Sequence, residues 1–439
     1  MNAGVLRMLL RPAHGSRDVI AVPAVAFAIV TALVLIVLGG AQTFWTWTDD
    51  YAGLYQGLAG IALALLLVPL MNLGGAAARL SARRRDERLS TLRLLGVTPA
   101  GVGTATIVES ALIAALGAVA GVLLYVALAP LVGLIPFRGD ALGMSAVLLP
   151  VWWIAAVVAA VTLLAVLSAV IGLRQVTISP LGVRTRAQVA PLRAIRAILA
   201  VAAVAAAFVM AKLVPSLGGL VMIILGLAVA FGGALAALNL IGPWVLKVSA
   251  RRQLRRAERP ERLLAARLVL DAPKAAWRQV SGIAMASFMA VFAGTGVALM
   301  NVMGAEDAAS ADLALVVDMR TGLIITLVAS FVMVAASVGV NQASAIADQR
   351  ELHASLHRLG VPLETVDRAR SRAIMSPLLV TAIGSALTAA VVVFPLLGIA
   401  LITAPLSLLT IAIVLAVGVA TVWFATRVTR PLLAASFAS

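Results

Sequence analysis

The sequence predicts an all-α integral membrane protein of about ten transmembrane helices. The helices are expected as two parallel four-helix repeats joined by a two-helix spacer, with both termini cytoplasmic. Three observations predict this. Of the 439 residues, 62% are hydrophobic and only 12% are charged, whereas a soluble domain is about half apolar and about a quarter charged. The apolar residues fall into long blocks, and about 20 of them in a helix cross a bilayer core of about 30 Å. Two stretches of sequence also recur in the same order at a nearly constant spacing. A soluble enzyme, a disordered chain and a fibre are excluded. The chain has no cysteine, so it has no disulfide, thiolate metal site or thiol nucleophile.

Ten blocks have the length of a span: 19–40, 54–78, 102–135, 144–173, 197–213, 217–246, 280–302, 322–340, 374–397 and 402–425. No alternating strand pattern is present, and in lipid the backbone must satisfy its own hydrogen bonds, so each block is expected as a helix. The third, fourth and sixth exceed one bilayer thickness and are expected to tilt or to extend into the cytoplasm.

The loops set the orientation. The N-terminus, 79–101, 174–196, 247–279, 341–373 and the C-terminus hold 31 of the 34 basic residues. The other loops, with their adjoining helix ends, hold Arg138, Lys212 and Arg320, together with the acids Asp49, Asp50, Asp140, Glu306, Asp307, Asp312 and Asp318. This asymmetry places the basic loops on the cytoplasmic face of a plasma membrane. The net charge of +16 then faces anionic lipid and a cytoplasmic partner, so nucleic acid is not expected. Phe44, Trp45, Trp47, Tyr51 and Tyr55 crowd the first outer loop. They suit an interfacial aromatic belt, or, for Trp45 and Trp47, a lip that admits substrate.

The recurrence has two parts. At an offset of 264, Glu87, Leu92, Leu95, Gly96, Val97 and Val102 meet Glu351, Leu356, Leu359, Gly360, Val361 and Val366. At an offset of 261, Pro12, Arg17, Val19, Phe27, Val30 and Ala32 meet Pro273, Arg278, Val280, Phe288, Val291 and Ala293. Both copies start from the same side, so the repeat is parallel, and an axis along the membrane normal is expected. The plan is an N-terminal segment 1–18, a first repeat 19–173 with a cytoplasmic segment 79–101, and a spacer 174–279. A second repeat 280–425 with a cytoplasmic segment 341–373 follows, then a tail 426–439.

Each cytoplasmic segment reads as a short amphipathic helix. Leu89, Leu92 and Leu95, and likewise Leu352, Leu356 and Leu359, form an apolar stripe opposite Arg and Glu. Gly96 and Gly360 stand where a helix stops, with Pro99 and Pro362 beyond. Such a helix either lies on lipid or docks into a soluble motor, and its duplication suits a two-fold motor.

The strings RRRDERLSTLRLLGVTPAGV and ADQRELHASLHRLGVPLETV resemble the cytoplasmic signature of FtsX-like (MacB-type) ABC transporter permeases. The ten-span, two-repeat layout is similar to the Bce-type branch, without that branch's large extracellular domain. The resemblance implies that Glu87, Leu89, Leu92, Leu95 and Gly96, with Glu351, Leu352, Leu356, Leu359 and Gly360, couple to a cytoplasmic ABC ATPase homodimer. One permease chain would serve two ATPase subunits. ATP and Mg would belong to that partner, and this chain is expected to hold no cofactor, no metal and no catalytic residue. The implied activity is export or lateral movement of an amphiphilic, lipid-like or antimicrobial substrate, with membrane lipids as further partners. FtsX-like members that transmit ATPase motion to a signalling or cell-wall partner give the alternative.

Glu109 is the one acid inside an expected span, so it is a functional candidate; reaching the interface or pairing with a nearby Arg is the structural alternative. An acid at this place is common in the family, and Ala373 occupies the equivalent position of the second copy. No Gly-Lys pair occurs in the chain, so a P-loop lacks its phosphate-binding lysine. An ion-coupled secondary transporter is disfavoured because the spans carry almost no ionisable groups. Gly117 and Gly121, and Gly226, Gly232 and Gly233, are expected to serve helix packing.

Overall fold

The computed structural model describes residues 17–49, 51–94, 99–177, 220–303, 310–348, 355–431 and 433–434. The described chain is helical almost throughout: α1 (Arg17–Gln42), α2 (Ala52–Leu94), α3 (Pro99–Gly133), α4 (Met144–Val147), α5 (Val151–Thr177), α6 (Leu220–Arg255) and α7 (Pro260–Asp271). Then follow α8 (Pro273–Met303), α9 (Ser310–Asp348), α10 (Leu363–Val392), α11 (Phe394–Thr403) and α12 (Pro405–Val428). Two strands, β1 (Pro136–Phe137) and β2 (Asp140–Ala141), form an antiparallel hairpin. Among the described residues, nine helical segments are long and apolar enough to cross a membrane. The expected span 197–213 lies outside the described residues. The chain is an all-α, multi-pass membrane protein.

Two expected boundaries change because of proline, and one expected span runs on beyond its expected end. The span expected from Met144 is interrupted after Val147, and α5 begins at Val151. Pro150 has no N–H to continue a helix, and its carbonyl accepts from Trp153 and Ile154 to open the next one. The outer loop expected at 398–401 is helical, inside α11. The breaks fall instead at Val393 and Ala404, each followed by a helix with proline in its first turn. The sixth span continues to Arg255, so Arg252 and Arg255 occupy its last turn, where the helix dipole favours cations.

The chain divides into two compact units. The first comprises Met1–Leu63, Leu70–Val189 and Gly339–Ala345. Its core is the crossing of α1 and α3. A Cβ added at Gly117 would lie 2.6 Å from the carbonyl oxygen of Ala24, and one at Gly121 would lie 2.5 Å from that of Ala28. These two glycines therefore bring the backbones together, as small-residue spacing does in membranes. Gly233 differs, since nothing lies within 4 Å of a Cβ built there. At the far end of α3 the buried Tyr125 hydroxyl donates to the Val147 carbonyl at 2.7 Å and accepts from the Leu149 N–H at 2.8 Å. The Gln42 amide donates to the carbonyls of Ala146 and Leu148. The polar backbone freed by the break before Pro150 is thus satisfied within apolar surroundings.

The second unit comprises Ala64–Pro69, Ala190–Val338 and Ile346–Ser439. Its central helix is α8, with Val280, Ile283, Leu327, Phe331, Val338, Leu378 and Val422 buried in one cluster around it. The short helix α7 packs on α6 and α10.

α3 and α10 share seven buried positions at a constant spacing. In α3 these are Ser110, Ile113, Ala114, Gly117, Gly121, Tyr125 and Ala129. In and just after α10 they are Ile374, Pro377, Leu378, Thr381, Ser385, Ala389 and Val393, each 264 residues later. The two helices also start 264 residues apart, at Pro99 and Leu363. α3 packs mainly on α1, and α10 mainly on α8.

Candidate functional site

The two basic segments are described over different stretches. The first is no separate helix. α2 runs unbroken for 43 residues from Ala52 to Leu94, about 65 Å at 1.5 Å per residue. Between Gly75 and Leu94 the sequence has neither Gly nor Pro and is rich in Ala, Arg, Leu and Glu, so nothing stops the span from continuing. Glu87, Leu89 and Leu92 lie on this extension, with Leu89 and Leu92 three residues apart on one face. Leu95 and Gly96 lie outside the described residues. α3 then begins at Pro99, a residue suited to the first helical position.

In the second copy, α9 ends at Asp348, and Glu351 and Leu352 lie outside the described residues. Residues 355–358 form a helical turn that stops at Gly360, whose φ is +78°. The Val361 N–H donates to the Leu356 carbonyl at 3.0 Å, and the Gly360 N–H to that of His357 at 2.9 Å. This pair of bonds closes a helix end around a left-handed glycine. Pro362 caps α10.

That stop separates the two leucines of the expected stripe. Leu356, with Val361 and Leu363, packs against the buried Ile346, Val366 and Leu433. Leu359 is 79% exposed. Three residues apart in a continuing helix they would share a face, but Leu359 sits where the helix ends, so it turns away from the core. Within this unit the outward corner consists of His357, Arg358, Leu359, Gly360 and Pro362.

Ion pairs hold the corner's mount. Asp367 receives Arg370 at 3.3 Å and Arg430 at 3.6 Å, and Arg370 also donates to the Thr426 carbonyl. The side chains of Asp367 and Arg370 are only 15% and 12% exposed. One turn further along α10, Arg372 meets Glu261 of α7 at 3.2 Å. The Glu261 carboxyl is held below the usual carboxylate range chiefly by its own backbone N–H. Burial opposes this, and Arg372, Arg259 and Arg368 reinforce it. Glu364 and Arg368 form an exposed pair four residues apart, readable from spacing alone. The Asp367–Arg430 and Glu261–Arg372 pairs join distant residues, and no spacing rule finds them.

Glu109 is half-buried in α3 beside the fully buried Ser110. Of the two candidate tryptophans in the first unit, Trp45 is 53% exposed. Trp47 instead belongs to an aromatic cap. Its ring meets Phe44 and Tyr55 edge-on at 5.1 and 4.9 Å, and the Arg138 guanidinium lies 3.7 Å from its centroid. Arg138 also pairs with Asp49 at 2.8 Å. The β1–β2 turn presents it there: Arg138 and Gly139 both have positive φ, 57° and 87°, as a two-residue hairpin of this hand requires.

The described residues are helical almost throughout, with nine candidate membrane spans among them. Residues 57–181 match the family described as FtsX-like permease C-terminal, consistent with an ABC permease of the FtsX/MacB type. The match runs from α2 through α5 and includes the basic extension of α2. Comparison with curated proteins and with solved structures found no match. FtsX-like permeases in general associate with an ABC ATPase.

Proposed function

We propose that the chain is the membrane subunit of an ABC transporter, driven by a separate cytoplasmic ATPase that binds ATP and Mg, and that it exports an amphiphile or moves it laterally. The observation that carries this reading is the match at 57–181, joined to the recurrence of the buried face of α3 in α10 264 residues later. Two permease-like halves in one chain suit two ATPase subunits, one at the end of α2 and one at the Gly360 corner. The plasma membrane, with the basic loops inside, follows from the charge asymmetry. Of the two tryptophans, Trp45 is the one free to meet a substrate, because Trp47 is held in its cap.

Leu359→Asp tests the coupling. An exposed leucine that becomes buried at an interface contributes about 2 kcal/mol, so its loss should weaken ATPase binding on the order of 30-fold while the permease stays folded. Leu356→Asp should instead unfold the corner, since Leu356 packs inward. Native mass spectrometry should show one permease with two ATPases, and the purified chain alone should hydrolyse no ATP. Hydrolysis by partner-free protein, or wild-type ATPase stimulation by the Leu359 variant, would refute the reading.

A further inference from the structure

Six arginines crowd the turn between α6 and α7 of the second unit. Arg251, Arg252, Arg255, Arg256, Arg259 and Arg262 stand close together in the sequence, and each is exposed. The last turn of α6 gives Arg252 and Arg255 a role against the helix dipole, which leaves four without one. Two acids interrupt the run. Glu261 is buried and pairs with Arg372, so Glu258 is the acid that the run exposes.

This turn is tied to the membrane on both sides. The apolar run of α6 ends at Leu246, before Lys247, and α8 starts its own span at Pro273. Leu246 and Ala250 of α6 are buried in one cluster with Val269 of α7, so α7 climbs back beside the end of the span. Arg251 and Arg252 lie about 8–9 Å past Leu246 along the helix, close to the Debye length at physiological salt. On α7, Leu264 and Leu268 share a face four residues apart. Both are exposed, while Ala265 and Val269 beside them are buried. Arg267, next to Leu268, is also exposed. Leucines at that height with a guanidinium beside them suit the boundary of headgroups and acyl chains, where the apolar side chain dips in and the charge stays out. A soluble partner would have to displace headgroups to reach them. All six cations of the turn are arginine, whose planar fork matches the paired oxygens of a phosphate.

We propose that residues 251–268 form a docking surface for anionic phospholipid of the inner leaflet, with the arginines on the phosphates and Leu264 and Leu268 at the acyl boundary. Basic clusters immediately beside a span attract anionic lipid in this way. The surface needs only the membrane placement of α6 and α8 and not the transport reading. Its test contains no ATPase, so failure of one leaves the other standing.

The full chain, purified in neutral detergent, is offered equal amounts of phosphatidylglycerol and phosphatidylcholine of one chain length, and retained lipid is counted by native mass spectrometry. Wild type should favour phosphatidylglycerol by about tenfold. Arg251→Gln, Arg252→Gln, Arg255→Gln and Arg256→Gln combined should lower that preference by about threefold or more. Lysine at the same four positions should restore most of it, which separates lost charge from lost fold. Glycerol 3-phosphate at equal concentration should not compete, because it has no acyl chain. The chain has no cysteine, so Leu268→Cys takes a single environment-sensitive fluorophore. In vesicles containing phosphatidylglycerol that label should be shielded from acrylamide and quenched by brominated acyl chains. An unchanged preference in the glutamine variant, no rescue by lysine, or displacement by glycerol 3-phosphate would each overturn the surface. A label open to acrylamide would overturn it too, and would make this face one for a soluble partner.

Discussion

Replacing Gly117 and Gly121 together by alanine adds two methyl groups where α1 and α3 cross in the first unit. At Gly121 the new Cβ would stand 2.5 Å from the Ala28 carbonyl oxygen and 2.7 Å from the Thr31 Cβ; at Gly117 it would stand 2.6 Å from the Ala24 oxygen and 2.8 Å from the Phe27 Cβ. Ordinary contact begins near 3.4 Å, so α1 and α3 must part by about 1 Å. The obstructing oxygens belong to backbone and cannot swing aside. A gap of that size forfeits a quarter to a half of each dispersion contact it opens, and over-packing typically costs about 1–3 kcal/mol per site. Against this, alanine is favoured over glycine in a helix by about 1 kcal/mol. The net expectation for the double variant is a loss of about 2 kcal/mol. Gly40→Ala is the control, because nothing lies within 4 Å of a Cβ built there. Equilibrium unfolding in mixed micelles, read by tryptophan fluorescence, measures the difference. If the double variant is as stable as the Gly40 variant, the helices do not approach as described and the small-residue argument fails.

Two further outcomes follow from the mount of the second corner. Asp367→Asn leaves Arg370, 12% exposed, without its countercharge and should destabilise the protein by about 3 kcal/mol, measured in the same unfolding assay. Glu261 has a lowered folded-state pKa, so its contribution is present above the usual carboxylate range, near 4.3, and is lost as pH falls through the lower folded value. Glu261→Gln should therefore flatten the acid limb of the stability profile below about pH 4.5 and leave its slope above pH 6 unchanged; an unaltered acid limb would show that the Arg372 pair is not coupled to folding.

Much of this architecture was legible in the sequence because lipid imposes simple rules. Long apolar blocks became helices, and the offset of 264 read from Leu95-Gly96-Val97 and Leu359-Gly360-Val361 reappears in the buried faces of α3 and α10. The helix stop at Gly360 was equally readable, since a glycine followed by proline at 362 leaves few alternatives. The misses share a cause. Hydropathy reports the transfer of side chains and is silent about the backbone, so it does not register Pro150 inside an apolar block, nor the breaks that Pro395 and Pro405 set beside α11. The spacing of Leu352, Leu356 and Leu359 makes a stripe only in an endless helix, but the helix ends beneath Leu359. The long-range pairs of Asp367 and Glu261 depend on which helices meet. A single sequence carries no sign of that.

The uninterrupted run of α2 through its basic extension has a geometric consequence. Each residue added to an α-helix turns everything beyond it by about 100° and advances it by about 1.5 Å. The compass bearing of Glu87, Leu89 and Leu92 is therefore set by the register of the span beneath them. One alanine inserted near residue 81 would swing that face to the wrong side while raising it hardly at all. Seven would bring it back to within about 20° of its bearing and lift it by about 10 Å. Bearing and height can thus be varied separately on this arm. The other arm breaks phase at Gly360, where the left-handed turn starts a new helix with its own direction. The bearing of that corner is set instead by the packing of Leu356 on Ile346, Val366 and Leu433, so it is held by contacts with its core.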